Sequence, residues 1–375
     1  MRVGIPSETK VEEYRVSMTP AGVRELSDRG HEVLVQSGAG AASGFADALY
    51  ATQGATIVPD ADAVFASAEM IVKVKEPLAL EVARLRPGQI LFTYLHLAPA
   101  PELTRGLCAS GATCIAYETV EDRQGRLPLL APMSEIAGRL ATQAGAFMLE
   151  KPLGGRGVLL GGVPGVAAAN VMVIGGGSVG RNAAAVAIGM GADVFIFDVS
   201  IDRLRELESV FGGRCSTVHS STLAIEELLP RTDLVIGAVL VAGDRAPYVI
   251  RRNQLGLMRP GTVMVDVAID QGGCFETSRP TTHEHPTFEV DGVTHYCVTN
   301  MPGAVPVTAT HALANATLPY VLVLADRGVV GAIAADPGLR SGVNVAGGVP
   351  THPAVARSAG VECVEVEAAL AAAVG

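Results

Sequence analysis

Gly175-Gly176-Gly177-Ser178-Val179-Gly180 has the spacing G-x-G-x-x-G, with the apolar run Asn170–Ile174 directly before it and an Ala-rich stretch of helical spacing, 178–190, opening at Ser178. Strand, glycine turn and helix in that order form a phosphate cradle. Gly175 permits the tight turn, Gly177 lets the backbone approach a pyrophosphate, and Gly180 allows close helix–strand packing. The helix start offers free N–H groups and the positive end of a dipole. Asp198 ends the next strand run, DVFIFD. A carboxylate there accepts from a ribose 2′-OH and repels a 2′-phosphate, so NAD is expected rather than NADP, although Arg203 and Arg205 follow closely.

Four further polar residues stand where apolar strands end, which is where open parallel sheets bind ligands. Lys75 ends MIVKVK, His96 follows LFTYL, Asp270 follows VMVDVAI, and Arg15 lies in the loop after the first strand. Arg15 can hold a carboxylate through a bidentate fork. Lys75 can polarise a carbonyl oxygen or help orient the carboxylate, His96 suits general acid/base work near neutrality, and Asp270 can manage protons or a developing ammonium. Those are the needs of hydride transfer at a carbon bearing an amine or hydroxyl, provided the loops converge. His283-Glu284-His285 lacks a third ligand at zinc spacing, so no metal site is expected. Ser134 and Ser220 have neither His/Asp partners in hydrolase order nor a G-x-S-x-G context, so nucleophilic catalysis is not expected.

The elements that position these residues alternate between strand and helix. Runs 2–6, 32–36, 70–75, 90–93 and 113–116 read as strands, with helices over 20–29, 60–67, 78–85 and 101–109. A second series has strands at 170–174, 193–198, 234–238, 262–267 and 294–298, with helices at 178–190 and 201–211. Alternation of this kind predicts an α/β chain of two Rossmann-like, doubly wound domains. The substrate (catalytic) domain is expected over 1–134 plus 310–375, and the NAD-binding domain over 135–309. The tail from about 310 shows two helical stretches and no strong strand pattern, so it is expected to pack back onto the first domain.

Composition narrows the classes. The chain has 375 residues, a net charge of −10 and no Trp. Nucleic acid and anionic membrane need concentrated positive charge, so neither is an expected partner. Six cysteines without a Cys-x-x-Cys pair point to reduced thiols rather than zinc or disulfides. The first ten residues lack an apolar core of a secretory signal. The uncharged stretch 304–325 contains Pro306, His311, Asn315 and Pro319 and reads as a buried helix with a broken start, not a membrane span. A cytoplasmic location is expected.

Long segments carry a resemblance: MRVGIPSETKVEEYRVSMTPAGVREL at the start, VKVKEP, LHLAP, AYETVE, LLAPMSEIAGRLATQAGA, GGRGVLLGGVPGV, DLVIGAVLV, VDVAIDQGGCFETSRPTTHEHPTF, CVTNMPGAVP and NATLPYV. The chain resembles the alanine dehydrogenases and the related NAD-binding subunit of nicotinamide nucleotide transhydrogenase over almost its whole length. The resemblance implies two domains separated by a cleft and a homohexamer. It implies that Arg15 and Lys75 bind the substrate carboxylate and carbonyl, with His96 and Asp270 as proton donor/acceptors. NAD contacts would fall on Ser134, Ser178, Val179, Asp198, Arg203, Ser220, Val239, Leu240, the run Val267, Ala268, Ile269 and Asp270, Arg279, and the run Val298, Thr299, Asn300 and Met301. L-alanine, pyruvate and ammonium would be the small-molecule partners.

The chain departs from that family at Val11, Glu12, Glu13 and Ser17, where carboxylates beside Arg15 would weaken carboxylate binding if they point inward. Val323 and Arg327 stand where some members carry magnesium ligands. Tyr94, Leu130, Met133 and Met301 are bulky candidates for lining the substrate pocket and favour a small side chain. Alternatives are a transhydrogenase-type module, for which a membrane-spanning tail is expected, and an enzyme condensing a keto acid with a larger amine.

Overall fold

Short runs rich in Val and Ile, buried on both faces, build the sheets of this computed structural model, which describes residues 1–239 and 246–374. The chain divides into two compact units, Met1–Met133 with Gly303–Gly375, and Ser134–Pro302. The chain crosses back to the first unit at 302/303, a few residues before the expected 309/310.

In the first unit β1 (Arg2–Ile5), β2 (Glu32–Gln36), β3 (Ala55–Val58), β4 (Met70–Val72), β5 (Ile90–Thr93) and β6 (Thr113–Ala116) lie parallel in the order β3-β2-β1-β4-β5-β6. Two of their helices start on side-chain caps: the Thr19 hydroxyl accepts from the Gly22 amide ahead of Pro20–Asp28, and Asp60 accepts from Ala63 ahead of Ala61–Ser67. A Cβ on Gly4 would stand 2.7 Å from Ala68 Cβ and Val64 Cγ1, so glycine sets how closely that second helix approaches β1. The sequence pattern missed β3, an edge strand that is only partly buried. The run expected to continue to Lys75 ends as a strand at Val72, and the amides of Val74 and Lys75 turn to the Glu8 carboxylate at 2.7 and 3.2 Å.

The second unit holds β7 (Asn170–Ile174), β8 (Asp193–Asp198), β9 (Ser216–His219), β10 (Leu234–Gly237), β11 (Val263–Asp266), β12 (Thr287–Val290) and β13 (Val293–Tyr296), ordered β9-β8-β7-β10-β11-β13-β12. All pairs are parallel except β12 with β13. This is the doubly wound order, reversing between β7 and β10. Both faces are covered, and Val171, Val173, Ile196, Ile236, Val263 and Val265 form its apolar centre.

The tail departs from expectation. After the helix Pro306–Ala335, β14 (Val343–Ala346) and β15 (Val349–Pro350) extend the first sheet beyond β6, both antiparallel to their neighbours. Short, Gly-flanked and interrupted by the buried Asn344, they carry no alternating signal; Asn344 instead accepts from Thr119 Oγ1 at 3.1 Å. The long helix is apolar enough to match a membrane span by length and composition. Its backbone breaks at Gly328 (φ 64°, ψ 178°). Its inner face, with Leu313, Thr317, Val321 and Leu324, is buried.

Candidate functional site

In the second unit the expected cofactor residues gather at the carboxyl edge of the sheet. Gly175 has φ +101°, and a Cβ there would meet the Ala238 carbonyl at 2.5 Å, across the β7/β10 switch point. A Cβ on Gly180 would lie 1.8 Å from the Gly175 carbonyl oxygen. On Gly177 it would meet no atom within 4 Å, so the space before this helix start is open to a ligand. Asp198 Oδ2 accepts from the Gly176 amide and Oδ1 from the Ser200 amide, both at 2.8 Å. That fixes the carboxylate at the tip of β8 with lone pairs left for a hydroxyl donor. Arg203 lies beside it, its guanidinium paired with Glu206.

The other contacts follow the same edge. Ser178 and Val179 open the helix Ser178–Gly189. Ser134 sits one turn before Gly138 on the helix Ala131–Met148, which passes so close that a Gly138 Cβ would be 2.1 Å from the Val179 carbonyl. Ser220 follows β9 and donates its amide to the Asp198 carbonyl at 2.9 Å. Val239 follows β10, while Leu240 lies outside the described residues. Val267–Gln271 is a short 3₁₀ turn after β11 that leaves Asp270 exposed. Ala268, Ile269, Val298 and Met301 are buried. Thr299 donates its amide to Thr281, Asn300 has φ +57°, and exposed Arg279 stacks over Phe288 at 4.1 Å.

Composition and spacing had no signal for Asp266. Wholly buried, it accepts from the Ala268, Cys274 and Phe275 amides at 3.0, 2.9 and 3.2 Å and from Ser278 Oγ at 2.5 Å. Burial pushes its carboxyl up, against the pull of those donors. It shapes the loop that carries Asp270.

In the first unit Arg15, Lys75 and His96 also share a carboxyl edge, on the loops after β1, β4 and β5. Arg15 is buried and bidentate to Glu13, whose Oε1 and Oε2 accept from Nε and Nη2 at 2.6 Å each; Nη1 lies 3.0 Å from Met133 Sδ. Glu13 therefore does point inward. Burial works against the guanidinium, and the Glu13 carboxylate outweighs it and holds its pKa up. Tyr94, buried beside it, donates its hydroxyl to the Leu129 carbonyl at 2.6 Å. Beneath Lys75 lies a buried cluster absent from the sequence reading: Lys73 Nζ pairs with Glu81 at 2.7 Å and Glu8 at 3.3 Å.

His96 has φ +48°, a left-handed backbone costly for a residue with a side chain. The Glu118 carboxylate accepts the His96 amide at 2.6 Å and the Leu95 amide at 3.2 Å, which holds that conformation. The ring stacks on Tyr94 at 5.8 Å, and Nδ1 lies 3.5 Å from Glu76 Oε2. Desolvation works against the imidazolium, yet the pairing with Glu76 and the charge of Glu118 outweigh it and Lys75, and the imidazole pKa rises. Glu76, paired with Lys10 and His96, is pulled down to about 2 despite its burial. Asp270 occupies the corresponding kind of strand end in the second unit. His283, set aside above as a ligand, faces the Asn300 carbonyl at 3.4 Å.

Family models described as the N-terminal and C-terminal domains of alanine dehydrogenase/PNT match residues 4–137 and 141–353. The chain is 58% identical over 365 residues to the alanine dehydrogenase of Halomonas elongata, covering 97% of this chain and 98% of that one. A solved structure of L-alanine dehydrogenase, 52% identical, aligns with a TM-score of 0.93 over 96% of this chain and 99% of its own. A transhydrogenase structure from Sinorhizobium meliloti aligns at 0.81 with 25% identity, over 94% of this chain and 100% of that one.

Proposed function

The chain belongs to the alanine dehydrogenase/PNT family, and from that premise we infer that it catalyses the reversible, NAD-dependent oxidative deamination of L-alanine to pyruvate and ammonium. It is an oxidoreductase acting on a CH–NH2 donor. The observation that carries the substrate reading is the 58% identity over nearly the full length, against 25% to the transhydrogenase structure. The arrangement of Arg15, Lys75 and His96 on one sheet edge is consistent with it.

NAD suits the second unit: open space before Gly177, a carboxylate fixed at the β8 tip, and no 2′-phosphate site unopposed by Asp198. NAD held along that edge would supply a hydride acceptor for the substrate Cα. Arg15, its guanidinium held in place by Glu13, binds the substrate carboxylate. Lys75 supports that carboxylate and polarises the carbonyl oxygen. His96 moves protons through the carbinolamine, and Asp270 steadies the nitrogen as charge develops. Ser134, Ser178, Asp198, Arg203, Ser220 and the strand-end runs hold the cofactor.

We further propose a cytoplasmic homohexamer without nucleic-acid or membrane partners. The decisive experiment follows NADH appearance with L-alanine at alkaline pH, against D-alanine, L-serine and lactate. L-alanine alone should support strong turnover. No turnover with it, alongside intact NAD binding, would favour the transhydrogenase-type reading.

A further inference from the structure

Three loops of the first unit bring Lys10, Glu76 and His96 into a row. Glu76 Oε1 takes the Lys10 ammonium. Its Oε2 is buried and, among the described residues, lacks a hydrogen-bond partner, yet lies 3.5 Å from His96 Nδ1. A buried carboxylate oxygen left over in this way is costly unless a donor closes on it. The imidazole is the donor at hand. Its backbone is fixed by Glu118 and its ring rests on Tyr94, so little freedom remains beyond rotation towards or away from Glu76.

We propose that Glu76 is the positioning residue of His96, keeping Nδ1 as the proton-bearing nitrogen so that Nε2 is the one offered to substrate; this rests on reading His96 as the acid/base group. A carboxylate only accepts, so the nitrogen facing it must carry hydrogen. Neutral His96 then has its lone pair at Nε2 and acts as a base, and the imidazolium returns the proton from the same atom. Against its burial, the pairings with His96 and then Lys10 keep Glu76 ionised, its pKa pulled down to about 2. The charges facing the ring are Glu76 and Glu118, which favour the imidazolium, and Lys75, which opposes it.

The test reads His96 directly. Its side chain is 42% exposed, and diethyl pyrocarbonate modifies only neutral imidazole. Modification of His96 followed by mass spectrometry across pH therefore gives its titration midpoint without reference to activity. In Glu76→Gln the midpoint should fall by roughly one pH unit, and kcat should fall roughly tenfold or more while KM for L-alanine and affinity for NAD stay within about threefold. In Lys10→Met, where Glu76 serves His96 alone, the midpoint should rise instead, which keeps the test alive if Glu76→Gln fails to fold. A midpoint unmoved in both variants overturns the proposal. If the midpoint moves but His96→Ala retains turnover, the acid/base reading fails instead, and the role assigned to Glu76 fails with it.

Discussion

At His96 the backbone and the ring are held by different carboxylates, Glu118 and Glu76, and each has a consequence. The raised imidazole pKa means that this pairing stabilises the fold fully below the unfolded value, about 6.5, and is lost as pH climbs through the higher folded value. Replacing the ring removes the proposed proton carrier, while the residues proposed to hold the nucleotide are unchanged. His96→Ala should therefore keep NAD affinity within a few-fold and lose turnover by roughly 10² or more; steady-state kinetics with a separate NAD titration checks both. Asp198 is the second residue whose chemistry is local. Its two oxygens already accept the Gly176 and Ser200 amides, which fixes the negative charge at the tip of β8, where the ribose is proposed to lie. Asp198→Gly should raise the kcat/KM ratio of NADP to NAD, since the group that repels a 2′-phosphate is gone. Equal use of both cofactors by the wild type would contradict the assignment.

Among the elements, the glycine turn separates folding from binding. Gly177 has room for a Cβ and Gly180 has none. Gly177→Ala should melt like the wild type but bind NAD more weakly, because the added methyl occupies the ligand's space. Gly180→Ala should lower the melting temperature as well, because its methyl drives into the Gly175 carbonyl. Calorimetry and NAD titration of the two variants give the comparison. The β4 loop has a parallel feature in Lys73, 1% exposed between Glu8 and Glu81. Burial disfavours its ammonium, and the two carboxylates more than offset that. Lys73→Met leaves two acids facing one another in the interior and should destabilise the fold by about 3–5 kcal/mol, measured by denaturant unfolding. A loss below about 1 kcal/mol, the range of exposed pairs, would show that the cluster is solvated.

For the whole molecule the reaction itself dictates the pH response. Hydride leaves an amine-bearing carbon readily only when the nitrogen is unprotonated, and the ammonium of an amino acid is mostly protonated near neutrality. Deamination should rise with pH above 7, and reductive amination should peak lower, where His96 still donates a proton and some ammonia is free. The raised pKa of His96 extends the donating range upward. Profiles of kcat/KM in both directions test this; one shared optimum below pH 7 would refute the roles given to His96 and Asp270.

The sequence alone determined whatever depends on near neighbours. Strands β7 and β8 are visible as continuous apolar runs because both faces of a parallel sheet are covered. The glycine turn is visible because its steric demands span six consecutive residues, and Asp198 because it closes the next run. The long segments VKVKEP and LHLAP, through their resemblance to a family, marked Lys75 and His96 as the candidates proposed above. Tertiary structure decided which of the 38 acidic residues turn inward and whom they meet. Glu13 on Arg15, Glu76 and Glu118 on His96, Glu8 on the β4 loop and Asp266 beneath Asp270 have no periodic signature. Each pairs through loops at the ends of adjacent strands or across a tight turn, and side-chain direction there is set by backbone conformation, not by composition. The same holds for β14, whose partner β6 lies far back in the chain: an edge strand of four residues is stabilised by the ladder it joins, and nothing in its own residues records that ladder.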